Sequence, residues 1–498
     1  MKPISLSTIS DYVDNIKKWA YKDVVHIQNN VLNKNPYTSE FIHNYFFDIE
    51  PKKLNKLFLF KKISIFYVKS IANFFLFLVN YVIFKLFGKK SDIDFEKEIY
   101  IIDVFFLVDN IIKEGVYRDR YFPGLYEVLK KYNKEYVFLP RLYGVDKSLF
   151  KLNKLLRVLN KDKSNKFLLE YELLSLFDIL RILAFILNYP IKQFELIQQE
   201  NSNLDKLFNY ELFNSLPDAS FEAYIRYLVG KNVSSRLPSN SKIISWQEFQ
   251  NLEKAFYKAI KDSDKGIIIY GCEFLIKYDT YLSMHITDID VDLSVTPHKT
   301  LLNGRYNYSR SAKHNFISGV SLRYKKIFKY IIDNCNSKKT LLVLLGYDVI
   351  ESQKLLKITS HIENLKIKLH PNTNEKQFNK YKKESWIYTY DDLYKLFRKA
   401  NIVLVTTMYG TALEAVSCGV SVIIITSNNK LNVVPMLDFG YGEIWDMASD
   451  KKELDEKVNM LLKFRKNNLV KVNSIASWYK ENFFIEPTEE NIVKIFEL

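Results

Sequence analysis

Four short apolar runs, TLLVLLGY, LKIKLHP, NIVLV and VSVIIIT, recur between Thr340 and Thr426. The stretches between them, around VIESQKLLK, DDLYKLFRKA and TALEAVSCG, carry helical spacing. Alternation of strand and helix over short connections implies a parallel sheet with helices on both faces. Pro371 is expected to stop the second strand and Gly419 to close the last helix. A further helix, RYKKIFKYIIDN, is expected ahead of the first run.

A second unit of the same class precedes this one. EIYIIDVFFLVDN reads as a buried strand, LYEVLKKYNKE as a helix and YVFLP as the next strand. Residues 150–235 are mostly helical, and a helix around WQEFQNLEKAFYKAI leads into the strand GIIIYG. The fold class is therefore α/β, with two Rossmann-like domains facing a cleft and added N-terminal helices. The expected divisions are a helical region over 1–95, a first domain over 96–310 with a helical insertion, a second over 311–480, and a C-terminal helix over 481–498. With 498 residues and 48% hydrophobic content, the chain can build two large cores.

The chain carries 72 Lys+Arg against 57 Asp+Glu, a net charge of +15. That balance favours an acidic partner, such as a nucleotide-linked substrate or an anionic lipid surface, or reflects a lysine-rich surface. The lysines are dispersed and no nucleic-acid-binding motif accompanies them, so nucleic acid is not expected as a partner. Three widely spaced cysteines, Cys272, Cys335 and Cys418, offer no metal-ligand spacing or disulfide framework and suit a reducing compartment. The N-terminus lacks a signal-peptide core, so a cytoplasmic location is expected. Fifteen uncharged residues, SIANFFLFLVNYVIF, lie between Lys69 and Lys85. As a helix they reach roughly 22 Å, short of the ~30 Å hydrocarbon core of a bilayer. A core helix and a peripheral membrane-surface helix both fit them.

Chemistry concentrates at the joint VTTMYGTALE. A strand that hands over to a helix places Thr406, Thr407, Gly410 and Thr411 at the carboxyl edge of the sheet, where open α/β sheets bind ligands. Hydroxyls and free helix-start N–H groups there suit a phosphate. Thr411 and Glu414 also match a capping box, which needs no ligand. In LKIKLHP, Lys366, Lys368 and His370 share one side of their strand. Lys368 and His370 thus reach the same edge, where an imidazolium and an ammonium would neutralise a departing phosphate.

Together, LHP, VLVTTMYGTALEAVSCGVSVI and LNVVPMLDFG resemble the donor half of a GT-B glycosyltransferase. More narrowly they resemble bacterial surface-carbohydrate biosynthesis proteins and the sialyl- and Kdo-transferases with a His-Pro motif and a later Ser/Thr motif. WQEFQNLEKAFYKAI, GIIIYG and PHKTLLNG resemble the segment closing the acceptor half of that group, and the resemblance runs over about residues 98–445. It implies that His370 and Thr406 or Thr407 contact the phosphate of a CMP-linked sugar acid. Lys368, Gly410 and Thr411 join the donor-binding set, with Glu414 near the ribose. Here the hydroxyl pair is Thr-Thr rather than Ser-Ser.

An inverting displacement needs a base on the first domain to take the acceptor's proton. Asp103, Glu248 and Asp109 are the candidates, and Asp103 inside an apolar strand must be either paired or functional. DIDVD (Asp288, Asp290, Asp292) resembles the acidic triplet of metal-dependent GT-A transferases. Its alternation also fits an exposed strand face, and it does not match an EF-hand loop.

The expected function is a metal-independent, inverting glycosyltransferase of surface-polysaccharide assembly. It would need no cofactor, take a CMP-activated sialic-acid-like or Kdo donor, and act on a glycan or glycolipid acceptor. The alternatives are a UDP-sugar transferase or epimerase of the same fold, and a non-catalytic membrane-associated assembly factor.

Overall fold

The structure is a computed structural model that describes residues 6–145, 150–278, 280–306, 310–330, 340–370, 373–407, 409–427 and 431–498. Cys335, Pro371 and the last four residues of the helix expected at RYKKIFKYIIDN lie outside those residues. The described part of that helix is one short turn, Lys325–Phe328.

Among the described residues twelve strands make two separate sheets, and every pairing is parallel. The first sheet holds β1 (Tyr100–Leu107), β2 (Tyr136–Tyr143), β3 (Lys242–Trp246), β4 (Ile268–Glu273), β5 (Lys299–Leu302) and β6 (Phe316–Ser318). Their order is β2-β1-β3-β4-β5-β6. The second holds β7 (Leu341–Leu344), β8 (Lys366–Lys368), β9 (Ile387–Thr389), β10 (Ile402–Thr406), β11 (Ser421–Ile425) and β12 (Trp445–Ala448). These run β12-β11-β10-β7-β8-β9. Numbered within its own domain the second order is 3-2-1-4-5-6, that of a dinucleotide-binding Rossmann domain. Central strands such as β10 and β11 are buried throughout, because helices cover both faces.

The expected fold class, two Rossmann-like domains with added N-terminal helices, is what forms. The domain boundary shifts, however: β6 pairs with β5, so the first domain continues past residue 310 to Ser318.

The helical insertion between β2 and β3 includes Leu176–Phe194, Asn203–Asn214 and Glu222–Arg236. Reciprocal capping boxes, Ser175 with Asp178 and Ser202 with Asp205, start the first two. The N-terminal region is fixed to the first domain by a buried charge cluster. Lys17 pairs with Asp14 at 3.0 Å and with Asp290 at 2.9 Å, and Lys34 pairs with Asp14 at 3.2 Å.

Near the C-terminus the chain recrosses between domains. Helix Leu469–Phe483 packs on the second domain, and Glu489–Phe496 returns to the first, where Phe496 meets Tyr270 with ring centres 6.0 Å apart. At the crossing the Ile485 N–H donates to the Asn303 carbonyl and the Ser321 N–H to the Ile485 carbonyl, both at 2.9 Å. Gly304 lies so close to the Phe483 backbone that no Cβ would fit.

The apolar segment 70–84 is the middle of a helix of 32 residues, Lys56–Phe87. One stripe, with Phe66, Ser70, Phe74, Phe77, Tyr81 and Phe84, is buried against the first domain. The opposite stripe faces out, so the helix is only half a core helix.

Candidate active site

A doubly wound sheet binds ligands at the carboxyl ends of the two strands where its winding reverses, since the following loops diverge there and leave a crevice. In the second domain those strands are β7 and β10. The loop after β7 carries Gly346, Tyr347 and Asp348; β10 ends in Thr406, followed by Thr407. The two loops touch: a Cβ on Gly346 would sit 3.6 Å from the Thr406 hydroxyl. In the first domain the reversal lies between β1 and β3, and the loop after β3 carries Glu248.

A cavity of about 480 Å³ opens at the second domain's switch point, within the usual range for a small-molecule site. Gly346, Tyr347, Thr406 and Thr407 form one wall and Tyr281, from the segment after β4, forms part of the other. The N-terminal region supplies Tyr37. Its ring packs edge-on against Tyr281 and Tyr347, with centres 6.0 and 5.6 Å away, so it bridges the two domains. His370 stands beside Tyr347 at 6.2 Å.

Glu248 is half-buried. Its carboxylate accepts from the Trp246 indole at 3.1 Å and from the Gln250 amide at 2.8 Å. Burial, reinforced by the nearby Glu253 charge, raises its pKa, and its charge is felt by Tyr37 and Tyr281, two residues that line the cavity. The next residue, Phe249, adopts φ +55°, a left-handed conformation costing a bulky side chain about 1–3 kcal/mol. Packing of the buried Phe249 ring holds the turn that carries Glu248.

Arg323, absent from the candidates read from the sequence, lies between the domains. Its guanidinium is 5.7 Å from the Trp246 ring and interacts electrostatically with Glu248, Glu414 and His370. It follows the first sheet's last strand rather than a βα turn, so no motif marks it.

Several expected roles change. Asp103 is wholly buried and accepts from Arg141 Nε (3.0 Å) and Nη2 (2.7 Å), Arg226 Nη2 (2.7 Å) and Ser245 Oγ (2.7 Å). Burial alone would raise its pKa, but the two guanidiniums and the hydroxyl hold it below the usual range. A carboxylate so enclosed does not reach an acceptor hydroxyl, so Asp103 is structural. Asp109 is exposed and pairs with Lys151 at 2.7 Å.

Lys368 donates to the Asp391 carbonyl at 2.7 Å, so its ammonium is held at the β8–β9 side of the sheet. His370 has its pKa lowered by burial, then by Arg323 and Lys368, so the neutral imidazole is favoured rather than the expected imidazolium.

The start of helix Thr411–Ser417 is not the open anion site expected. A Cβ on Gly410 would lie 2.9 Å from Ile276 Cβ, and the Tyr278 phenol is hydrogen-bonded to the Gly410 backbone. Gly410 is thus needed for close approach between domains. The capping box fails too: Gly410 takes the cap position, Thr411 bonds to the Tyr409 phenol, and Glu414 accepts from the Tyr394 hydroxyl at 2.7 Å. Burial raises the Glu414 pKa.

The DIDVD segment is a helical turn, Asp288–Asp292, rather than a strand face. Its carboxylates diverge: Asp290 to Lys17, Asp288 to Ser311 and the backbone of Ala312 and Lys313, and Asp292 to Lys313. They form no common ligand set.

The sequence matches no family model and no curated protein. Among solved structures it is similar to MurG from Acinetobacter baumannii, at 11% identity and TM-score 0.41 over 81% of this chain and 100% of that one. It is also similar to the S. aureus MnaA-UDP co-structure, at 11% identity and TM-score 0.42 over 80% and 96%. A third is Arabidopsis thaliana UGT89C1 complexed with quercetin, at 10% identity and TM-score 0.40 over 82% and 99%. Likeness at these scores carries no functional argument; two parallel sheets, wound from the chain's own strand order and facing one cleft, are what make the fold GT-B-like.

Proposed function

We propose that this protein is a glycosyltransferase that moves a sugar from a nucleotide donor to an acceptor hydroxyl with inversion. In the proposed reaction the acceptor oxygen bonds to the anomeric carbon while the bond from that carbon to the phosphate oxygen breaks. Glu248 takes the acceptor's proton, a role suited to a carboxylate whose pKa burial has raised. The electron pair leaves with the nucleotide phosphate, which Arg323, Thr406, Thr407 and the neutral His370 would receive by hydrogen bonding and charge. Asp348 already caps helix Val349–Ile358, accepting from Ile350 N at 2.9 Å and Glu351 N at 3.2 Å, so side chains rather than that helix start would hold the phosphate.

The observation that carries this reading is that the base-bearing turn of one domain lies within electrostatic reach of Tyr37 and Tyr281, which line the same cavity as the hydroxyl-bearing edge, Thr406 and Thr407, of the other. The finer proposal, a CMP-linked sugar acid as donor, rests on the resemblance carried by His370 and the Thr406–Thr407 pair.

The test is thermal stabilisation of the full chain by CMP, CDP, UMP, UDP, ADP and GDP, with and without EDTA. A ligand at a hundred times its Kd adds about 2.7 kcal/mol of stability. A CMP or CDP response that survives EDTA supports sugar-acid transfer. A UDP response replaces that donor with a hexose and brings epimerisation into play. No response to any nucleotide overturns the enzymatic reading in favour of an assembly factor.

A further inference from the structure

The outward stripe of helix Lys56–Phe87 is continuous. Nine large apolar side chains on it are exposed, among them Phe60, Val68 at 71%, Phe75 at 60% and Leu86. Helix Leu176–Phe194 packs beside it, with the Tyr67 hydroxyl donating to the Leu187 carbonyl at 2.9 Å. This second helix exposes six more, including Leu180 and Ile191. Together they present on the order of 1,000 Å² of apolar surface, where soluble monomers rarely expose more than a few hundred.

The long helix and its flanks are basic, although Lys69 is paired with the neighbouring Asp218 at 3.3 Å. From Pro51 to Ser91 the chain has nine lysines and no acidic residue. A second copy docking face to face would set these lysines against their equivalents, whereas an anionic surface would neutralise them.

The long helix does not stand free to cross a bilayer. Its inner stripe is fixed along its length: Phe66 to Tyr189 (ring centres 5.5 Å apart), Phe77 to Tyr171 (5.5 Å) and Phe84 to Tyr171 (6.0 Å). Lys62 donates to Asn214 Oδ1 at 2.8 Å and Lys69 to the Pro217 carbonyl at 3.2 Å. Rising 1.5 Å per residue, it lies about 48 Å along the surface of the first domain.

We infer that these two helices form a docking face for an anionic phospholipid bilayer, with the apolar stripes entering the headgroup–acyl boundary and the lysines meeting the lipid phosphates. This goes beyond the proposed reaction and stands whatever that reaction is.

The test is sedimentation of the full chain with vesicles of phosphatidylcholine alone and of phosphatidylcholine mixed with phosphatidylglycerol. The parent protein binds the mixed vesicles more tightly, and salt weakens that preference. Replacing Phe60, Phe75 and Leu180 by Gln removes roughly tenfold in affinity for each inserted side chain, about a thousandfold in all. Thermal unfolding stays as in the parent, because all three side chains point away from the core. Val470→Gln with Ile387→Gln, exposed apolar positions outside both helices, leaves binding unchanged. Lys89→Glu with Lys90→Glu, which touches no apolar contact, costs at least tenfold on the mixed vesicles. Equal binding by the parent and the Gln variant overturns the inference, as does failure of the parent to bind either vesicle. A parent that dimerises through this face and ignores vesicles also overturns it, in favour of a second copy.

Discussion

Asp103→Asn tests whether the one carboxylate inside β1 holds the first domain together or performs chemistry. The side chain is 0% exposed and receives four hydrogen bonds, three of them from guanidinium nitrogens of Arg141 and Arg226. Arg141 also pairs with Glu253, so it keeps one anion when Asp103 is neutralised. Arg226 has no second ion pair among the described residues. Breaking a buried pair while leaving its partner charged costs about 3–5 kcal/mol. At about 2–4 °C per kcal/mol for a domain of a few hundred residues, unfolding should move down by roughly 10 °C.

The acid limb adds a second reading. A carboxyl held below its unfolded pKa contributes stability that is present above that unfolded value and lost as pH falls through the folded one. The parent should therefore lose stability steeply on acidification, and Asp103→Asn should be flatter over the same range. The assay is calorimetry or circular dichroism of both proteins across that acid window. A shift below 1 kcal/mol with an unchanged acid slope would refute the reasoning and return Asp103 to the list of candidate bases.

Three further outcomes follow from the geometry. Glu248→Gln should lower transfer by about 10²–10⁴-fold, with unfolding unchanged or raised, because a carboxylate penalised by burial is removed; in the parent, activity should fall as pH drops through the raised Glu248 pKa, seen as a loss of kcat/KM on the acid side. Gly410→Ala forces its new methyl into Ile276 and should weaken nucleotide binding more than it weakens the fold, since the contact lies between domains; titration calorimetry beside thermal unfolding separates the two. Glu170, in the helical insertion, has its pKa pushed up to about 7 by burial, so the folded chain keeps a proton that the unfolded chain releases near pH 4.5. Stability should then decline as pH rises from about 4.5 to 7, by on the order of 3 kcal/mol from this group, and Glu170→Gln should flatten that decline in a melting series across the window.

The strand–helix alternation was legible because β1, β10 and β11 each hold a run of four apolar residues, Val104–Leu107, Ile402–Val405 and Val422–Ile425, so each reads as a buried strand by itself. β3 escaped because Lys242–Trp246 has only Ile243 and Ile244 as adjacent apolar residues before Ser245 and runs into WQEFQ, whose spacing continues as a helix. Missing it also hid the first domain's switch point and the turn that carries Glu248. β6 and β9 have three residues each; their neighbours in the sheet, not their own pattern, make them strands. Thr406 and Thr407 could be placed because a strand end fixes them locally. Tyr37 and Arg323 could not, since they reach the cleft from an N-terminal loop and an inter-domain segment. Asp103 was read as either paired or functional and counted among the candidate bases; it is paired, and the partners that decide this lie 38 and 123 residues away in the sequence. Periodicity reports which side of a strand a group faces, not what has folded against it.

The recrossing of the chain at Asn303, Ser321 and Ile485 has a mechanical consequence. Two chain segments run side by side between the domains and are laced by backbone hydrogen bonds, so they behave as a strap hinge rather than a single pivot. Twisting one domain against the other would shear that lacing, while swinging them about the line of the strap would leave it intact. Such lacing resists twisting more than swinging, and the Tyr37 ring, packed against both Tyr281 and Tyr347, adds contacts that any opening of the cleft would have to break.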